Sequence, residues 1–186
     1  SGVVLLRKTA RHNAALAELF AAHRVRKLYW AIVEGAWDDR IHKIDTQIVP
    51  AGDGRFANAD AGGKPAVTTV RVLGRSGGDY TAGGPARTWL GLLLKTGRTH
   101  QARLHCLYGG CPVVGDPLYG GAGEAEFFGL HARELRLRHP GTGKELCLEA
   151  PPPAPWSVES YGSRCGSGWP MLGSGCASCA SSRCAG

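Results

Sequence analysis

The chain has 186 residues, 43% of them hydrophobic and 20% charged, enough apolar material for one domain with a true core. Its 22 Lys and Arg outnumber 15 Asp and Glu for a net charge of +7, so a polyanion is a fitting partner. No apolar run approaches the roughly 20 residues that a membrane-spanning helix needs, and no membrane partner is expected.

Thr9 is placed to cap a helix reaching about Ala22, its hydroxyl accepting from a first-turn amide, with Leu16, Leu19 and Phe20 on one face. Residues 27–34 then read as a strand. Leu28, Trp30 and Ile32 face one way and Tyr29, Ala31 and Val33 the other. Both sets are largely apolar, which predicts a central strand in a sheet covered on both sides. Residues 50–64, rich in Gly, Ala, Asp and Asn with no period, read as a loop. The β-branched run 66–73 and the apolar run 89–94 are strands, joined into a long hairpin by a glycine-rich connection over 74–87. Thr99 opens a second helix to about Tyr108, ended by Gly109-Gly110 as a left-handed cap. Leu135 and Leu137, then Leu146 and Leu148, alternate with polar residues on either side of His139-Pro140-Gly141-Thr142-Gly143, which predicts a closing hairpin. The expected class is α+β, a mixed and largely antiparallel sheet with flanking helices.

Composition changes after Pro151-Pro152-Pro153. Residues 1–153 form the predicted domain. Residues 154–186 form a low-complexity Gly/Ser/Ala/Cys tail with too few aliphatics to offset the entropy of ordering. Cys106, Cys111 and Cys147 lie among apolar neighbours as small core residues. Cys165, Cys176, Cys179 and Cys184 fall in the tail at irregular spacing with no hydrophobic framework, so no metal is expected and a zinc tail is the weaker rival.

The chemistry concentrates in Thr96-Gly97-Arg98-Thr99-His100-Gln101-Ala102-Arg103-Leu104-His105. Two arginines, two histidines and a glutamine stand within eight residues with no acid among them. Arginine suits a partly dry site where a carboxylate or phosphate must be held by a rigid planar fork. Arg98 precedes the helix, where free amides and the dipole also favour an anion. A solvated basic helix end is the plainer reading of the same residues. His100 and His105, five residues apart with no accompanying carboxylate, are poor metal ligands and suit hydrogen bonds to backbone. Tyr29 reads either as a core aromatic with its hydroxyl at the edge or as a ring stacked on a flipped base, the latter worth about 1–3 kcal/mol per base. Asp116, in a Gly-Asp-Pro turn, suits binding of nearby amides, and Lys64, after Gly62-Gly63, suits a phosphate.

Several blocks, in order and at sensible separations, resemble the RluA-type pseudouridine synthases. Ser1-Gly2-Val3-Val4-Leu5-Leu6-Arg7-Lys8-Thr9 is similar to the end of that family's aspartate motif and the strand after it. Lys27-Leu28-Tyr29-Trp30-Ala31-Ile32-Val33-Glu34-Gly35 looks like its tyrosine motif, and Gly63-Lys64-Pro65-Ala66-Val67-Thr68-Thr69 like its Gly-Lys-x-Ala-x-Thr segment. Residues 94–120 resemble the arginine motif and the Gly-Asp-x-x-Tyr-Gly turn beyond it, and Leu130-His131-Ala132, His139-Pro140 and Ala150-Pro151 the closing hairpin. The likeness covers nearly all of residues 1–153.

The resemblance implies the pseudouridine synthase catalytic-domain fold and isomerisation of uridine in structured RNA, rRNA or tRNA, with no metal or organic cofactor. It implies an aspartate acting at the ribose, Arg103 pairing with it, and Tyr29 packed against the flipped base. Lys64, Arg98, His100 and Gln101 are the implied RNA contacts. The family's aspartate stands in His-Arg-Leu-Asp-x-x-Thr-Ser-Gly, of which Ser1-Gly2 remains; none of the chain's aspartates has that context. The expectation is an enzyme fragment without its N-terminal portion, open at a sheet edge and inactive as given. The alternative is a non-catalytic RNA-binding module on the same fold. The compartment, cytoplasmic or organellar, stays open.

Overall fold

In the computed structural model, residues 1–6, 10–76, 86–120, 127–152 and 156 are described. One seven-stranded sheet organises them: β1 (Arg26–Glu34), β2 (Lys43–Gly52), β3 (Arg55–Ala59), β4 (Lys64–Ser76), β5 (Arg87–Leu94), β6 (Leu130–Arg138) and β7 (Glu145–Glu149). Their order across the sheet is β3-β2-β4-β5-β1-β6-β7. Among the described residues every strand pairing is antiparallel, and the parallel component is a single bridge between Gly2 and Ala132. With α1 (Asn13–Ala21) and α2 (Gln101–Tyr108), the architecture is α+β, as expected.

β1 lies inside the sheet between β5 and β6, and its two apolar faces meet different layers. Ala31 and Val33 join Leu90, Leu92, Leu94, Val70, Ala102, Cys106 and Val113 in the main core, with Tyr29 packed against it. Ile32 turns the other way, towards Trp89, Val114 and Trp156, with Trp30 alongside. The alternation of strand side chains thus assigns each half of the motif to its own layer.

Three expectations need correction. Residues 50–64, read as a loop, contain the end of β2, all of β3 and the start of β4. Gly52 pairs with Arg55 across Asp53-Gly54, both at positive φ (48° and 70°), the geometry of a tight hairpin turn favoured by Asp-Gly. Small, polar residues hid an edge strand that pairs on one side only. The glycine-rich stretch 74–87 is likewise strand at both ends, since β4 runs to Ser76 and β5 starts at Arg87; residues 77–85 between them lie outside those described. Finally, Trp156 was assigned to a tail unable to bury surface, yet it is 3% exposed against Phe127 and His131. One large aromatic docks where the average composition of its segment argued against burial.

The helices also differ in detail. α1 follows a 3-10 turn at Ala10–His12; its N-cap is His12, with no side-chain capping bond, and Thr9 lies outside the described residues. Leu16 and Leu19 are half-buried and Phe20 is exposed, so the apolar face of α1 is only partly covered. The second helix starts at Gln101 after an N-cap at His100, not at Thr99, which is exposed. Its end is as read: Gly110 has φ 77°, and the amides of Gly110 and Cys111 return to the carbonyls of Leu107 and Cys106, the two bonds of a left-handed cap.

Trp156→Ala should cost about 3 kcal/mol or more in urea unfolding, the usual range for deleting a buried large aromatic. A loss below about 0.5 kcal/mol would show that the ring contributes nothing to the core.

Candidate active site

α2 is too short to be stable alone, and buried polar bonds hold it against the sheet. Gln101 is 1% exposed. Its Nε2 donates to the Val67 carbonyl and to Thr68 Oγ1, both at 3.0 Å, while its Oε1 accepts from Thr96 Oγ1 at 2.7 Å and the Arg98 amide at 2.9 Å. All four hydrogen-bonding positions of the amide are used. Gln101, expected at the RNA surface, is therefore an internal brace with nothing left to offer a ligand.

His105 does similar work one turn later. It is fully buried, with Nδ1 2.8 Å from Thr68 Oγ1 and Nε2 3.1 Å from Thr46 Oγ1. Because Thr46 donates to Asn58 Oδ1 and Thr68 accepts from Gln101, the consistent assignment is a neutral ring that donates from Nε2 and accepts at Nδ1. Burial pushes its pKa down to about 4 and so favours the same neutral form. Its partners are side-chain hydroxyls rather than the backbone groups anticipated. Asn58, on the β3 that the sequence reading missed, ties the helix further by donating to the Leu104 carbonyl at 2.9 Å.

These anchors aim Arg103 at Asp116. The arginine Nε donates to Asp116 Oδ2 at 2.7 Å, and its Nη2 pairs with Oδ1. The same Oδ1 accepts the amides of Leu118 (2.9 Å) and Tyr119 (3.0 Å), the turn role expected for this aspartate. Burial raises the Asp116 pKa, but the Arg103 bond and the two amides outweigh it, so the net shift is downward and the carboxylate stays ionised. Arg103 also lies 4.8 Å above the centre of the Tyr119 ring and 5.5 Å from that of Phe128. The planar cation is thus held by a carboxylate and flanked by two aromatic rings.

His100 stands beside this group in the left-handed conformation (φ 58°), uncommon for a residue with a side chain. Its Nδ1 is 2.9 Å from the Tyr119 hydroxyl, which accepts from the Phe56 amide and so has its proton for the histidine. Burial and the nearby Arg103 lower the His100 pKa. Its Nε2 makes no hydrogen bond among the described residues.

Tyr29 lies on the main-core face of β1, packed against the cluster that holds Ala102 and Cys106 of α2. Burial raises the pKa of its phenol, and the hydroxyl has no hydrogen-bond partner among the described residues. Tyr29 thus packs against a cluster to which α2 contributes, and among the described residues no hydrogen bond joins it to Arg103. Lys64 is exposed at the first position of β4, and Arg98 donates from Nε to the neighbouring Pro65 carbonyl at 2.9 Å. Lys27, which sequence reading passed over, is buried beside them, with its ammonium on the Thr96 carbonyl at 2.8 Å. Tyr119 was also missed as a site residue; its signal was the Gly-Asp-x-x-Tyr-Gly turn itself. Elsewhere among the described residues, Glu134, Cys147 and Glu149 bring donor atoms within 4.8 Å of one another. Arg26 and Arg136 already offset the charge of Glu134 and Arg133 that of Glu149, which leaves little for a cation.

A family model described as RNA pseudouridylate synthase matches residues 1–108. The chain is 36% identical over 167 residues to "tRNA pseudouridine synthase C" of Salmonella typhi, covering 81% of this chain and 63% of that protein. It is 36% identical over 170 residues to "Ribosomal large subunit pseudouridine synthase D" of Pseudomonas aeruginosa, covering 82% of this chain and 50% of that one. Among solved structures it is similar to "Human RNA Pseudouridylate Synthase Domain Containing 1", with a TM-score of 0.64 and 28% identity over 78% of this chain and 62% of that one. The chain spans about half to two-thirds of the length of these relatives.

With His105 held neutral, its contribution to stability is full above the unfolded pKa near 6.5 and is lost as pH falls towards about 4. The melting temperature should therefore drop between pH 6.5 and 4, before most carboxylates titrate, and His105→Gln should flatten that part of the profile. An unchanged slope in the variant would remove His105 as its cause.

Proposed function

The chain belongs to the RNA pseudouridylate synthase family, and from that premise we propose that it serves the isomerisation of uridine to pseudouridine in structured RNA, rRNA or tRNA. The observation that carries this reading is a guanidinium on α2 fixed by Asp116, together with a half-buried phenol packed against the cluster that α2 joins and neighbouring basic residues without acid partners among the described residues.

The reaction breaks the N1–C1′ bond, turns the base and joins C5 to C1′; C5 loses a proton and N1 gains one, with nothing added or removed. A base must leave its stack to be reached, at a cost of a few kcal/mol. Tyr29 offers an aromatic face for it, with a hydroxyl free to handle the C5 proton. Arg103 is the fixed cation beside which a reacting carboxylate stays ionised. Asp116 is not that carboxylate: it spends its oxygens on Arg103 and two amides, and so positions the arginine. Of the expected RNA contacts, Lys64, Arg98 and His100 keep that assignment, the last through its Nε2.

No aspartate of this sequence carries the family's His-Arg-Leu-Asp context. We therefore expect the 186-residue chain to bind rRNA and tRNA transcripts with an affinity that falls steeply with salt, and to release no tritium from RNA labelled at uridine C5. Failure to bind at low salt would sink the RNA reading, and tritium release would sink the assignment of the missing acid. In a protein that supplies that acid, Arg103→Ala should abolish release while RNA affinity falls only a few-fold, because phosphate contacts are spread over many residues.

A further inference from the structure

Lys27 is 7% exposed, yet among the described residues its ammonium has one acceptor, the Thr96 carbonyl at 2.8 Å. An ammonium carries three donors, and a buried one without an anion is costly. No carboxylate pairs with Lys27 among the described residues. The charge that acts on it is Arg98, of the same sign, which adds to burial in lowering its pKa. A carbonyl contact alone does not account for a lysine here, since an uncharged donor would serve the carbonyl without the desolvation cost.

The surroundings indicate what it awaits. Lys27 pairs with Leu94 at the end of β5, and the chain then passes over the ammonium through Thr96 and Gly97. Gly97 is exposed, and a Cβ there would stand 3.2 Å from Lys27 Nζ. The missing side chain leaves the ammonium within reach of the surface, under the loop that carries Arg98. Lys27 and Tyr29 also alternate onto the same face of β1, about 6.6 Å apart along the strand. That separation is comparable to the reach from a base to the phosphate of its own nucleotide.

We propose that Lys27 is a phosphate receptor, binding through the opening at Gly97 a backbone phosphate next to the nucleotide whose base lies on Tyr29. The inference rests on the RNA reading above and adds to it a named contact for one phosphate.

The test uses the full 186-residue chain and two stem-loop RNAs, one natural and one with a neutral methylphosphonate placed in turn at each linkage flanking a loop uridine. In wild type, one of these replacements should weaken binding about tenfold. Lys27→Met should lose a similar factor and reduce the salt slope by about one phosphate, and the same methylphosphonate should then cost nothing further. Its melting temperature should hold or rise, since an apolar isostere replaces a buried charge. Gly97→Ala, which keeps the lysine and closes the opening, should reproduce the loss of binding and serves should Lys27→Met fail to fold. If wild type binds neither RNA, the RNA reading fails and takes this inference with it. If wild type binds but the methylphosphonate penalty persists undiminished in either variant, this inference alone is overturned.

Discussion

An eight-residue helix placed by polar bonds rather than by its own stability is the constraint on which the site depends. Gln101 and His105 reach from α2 into β4 and β2, and each finds every partner it needs. Buried polar groups of this kind are costly when unmatched and highly specific when matched. The chain Asn58–Thr46–His105–Thr68–Gln101–Thr96 therefore fixes one register of helix against sheet. Arg103 inherits its aim from that register, and the left-handed His100 is the link that lets the loop from β5 enter the helix there.

The electrostatics follow from which cations receive acids and which do not. Arg103 is matched by Asp116, whose remaining capacity goes to the turn amides, so the arginine is oriented and partly neutralised before any ligand arrives. Lys64, Arg98 and Lys27 have no carboxylate partner among the described residues, and they cluster where β4 begins and β5 ends. The exposed Lys64 in particular is a cation of the kind that raises the local concentration of a polyanion. The rings of Tyr119 and Phe128 lie against Arg103 instead.

Both layers of β1, the long β4–β5 hairpin, the closing β6–β7 hairpin and the left-handed end of α2 were legible in the sequence, because each is a local matter of alternation or of a glycine. The turn role of Asp116 was legible too, from its Gly-Asp-Pro setting. Gln101 was misread because a polar residue beside two arginines looks outward in sequence, while its helical position faces Thr68 and Val67. β3 was missed because an edge strand of Arg, Phe, Asn and Ala has little intrinsic preference for extended structure, and its pairing with β2 supplies what propensity does not. Lys27 drew no notice because burial of a lysine is invisible until the loop above it is placed.

By itself, then, the sequence determined the class of the fold, the existence of β1, β4, β5 and the closing hairpin, and the identity of the basic segment, all consequences of short-range periodicity and turn chemistry. Tertiary structure alone decided which of the polar residues in that segment face inward, which acid meets Arg103, and that Trp156 belongs to the core. Those outcomes depend on contacts between residues far apart in the chain, and no local pattern records the partner at the other end.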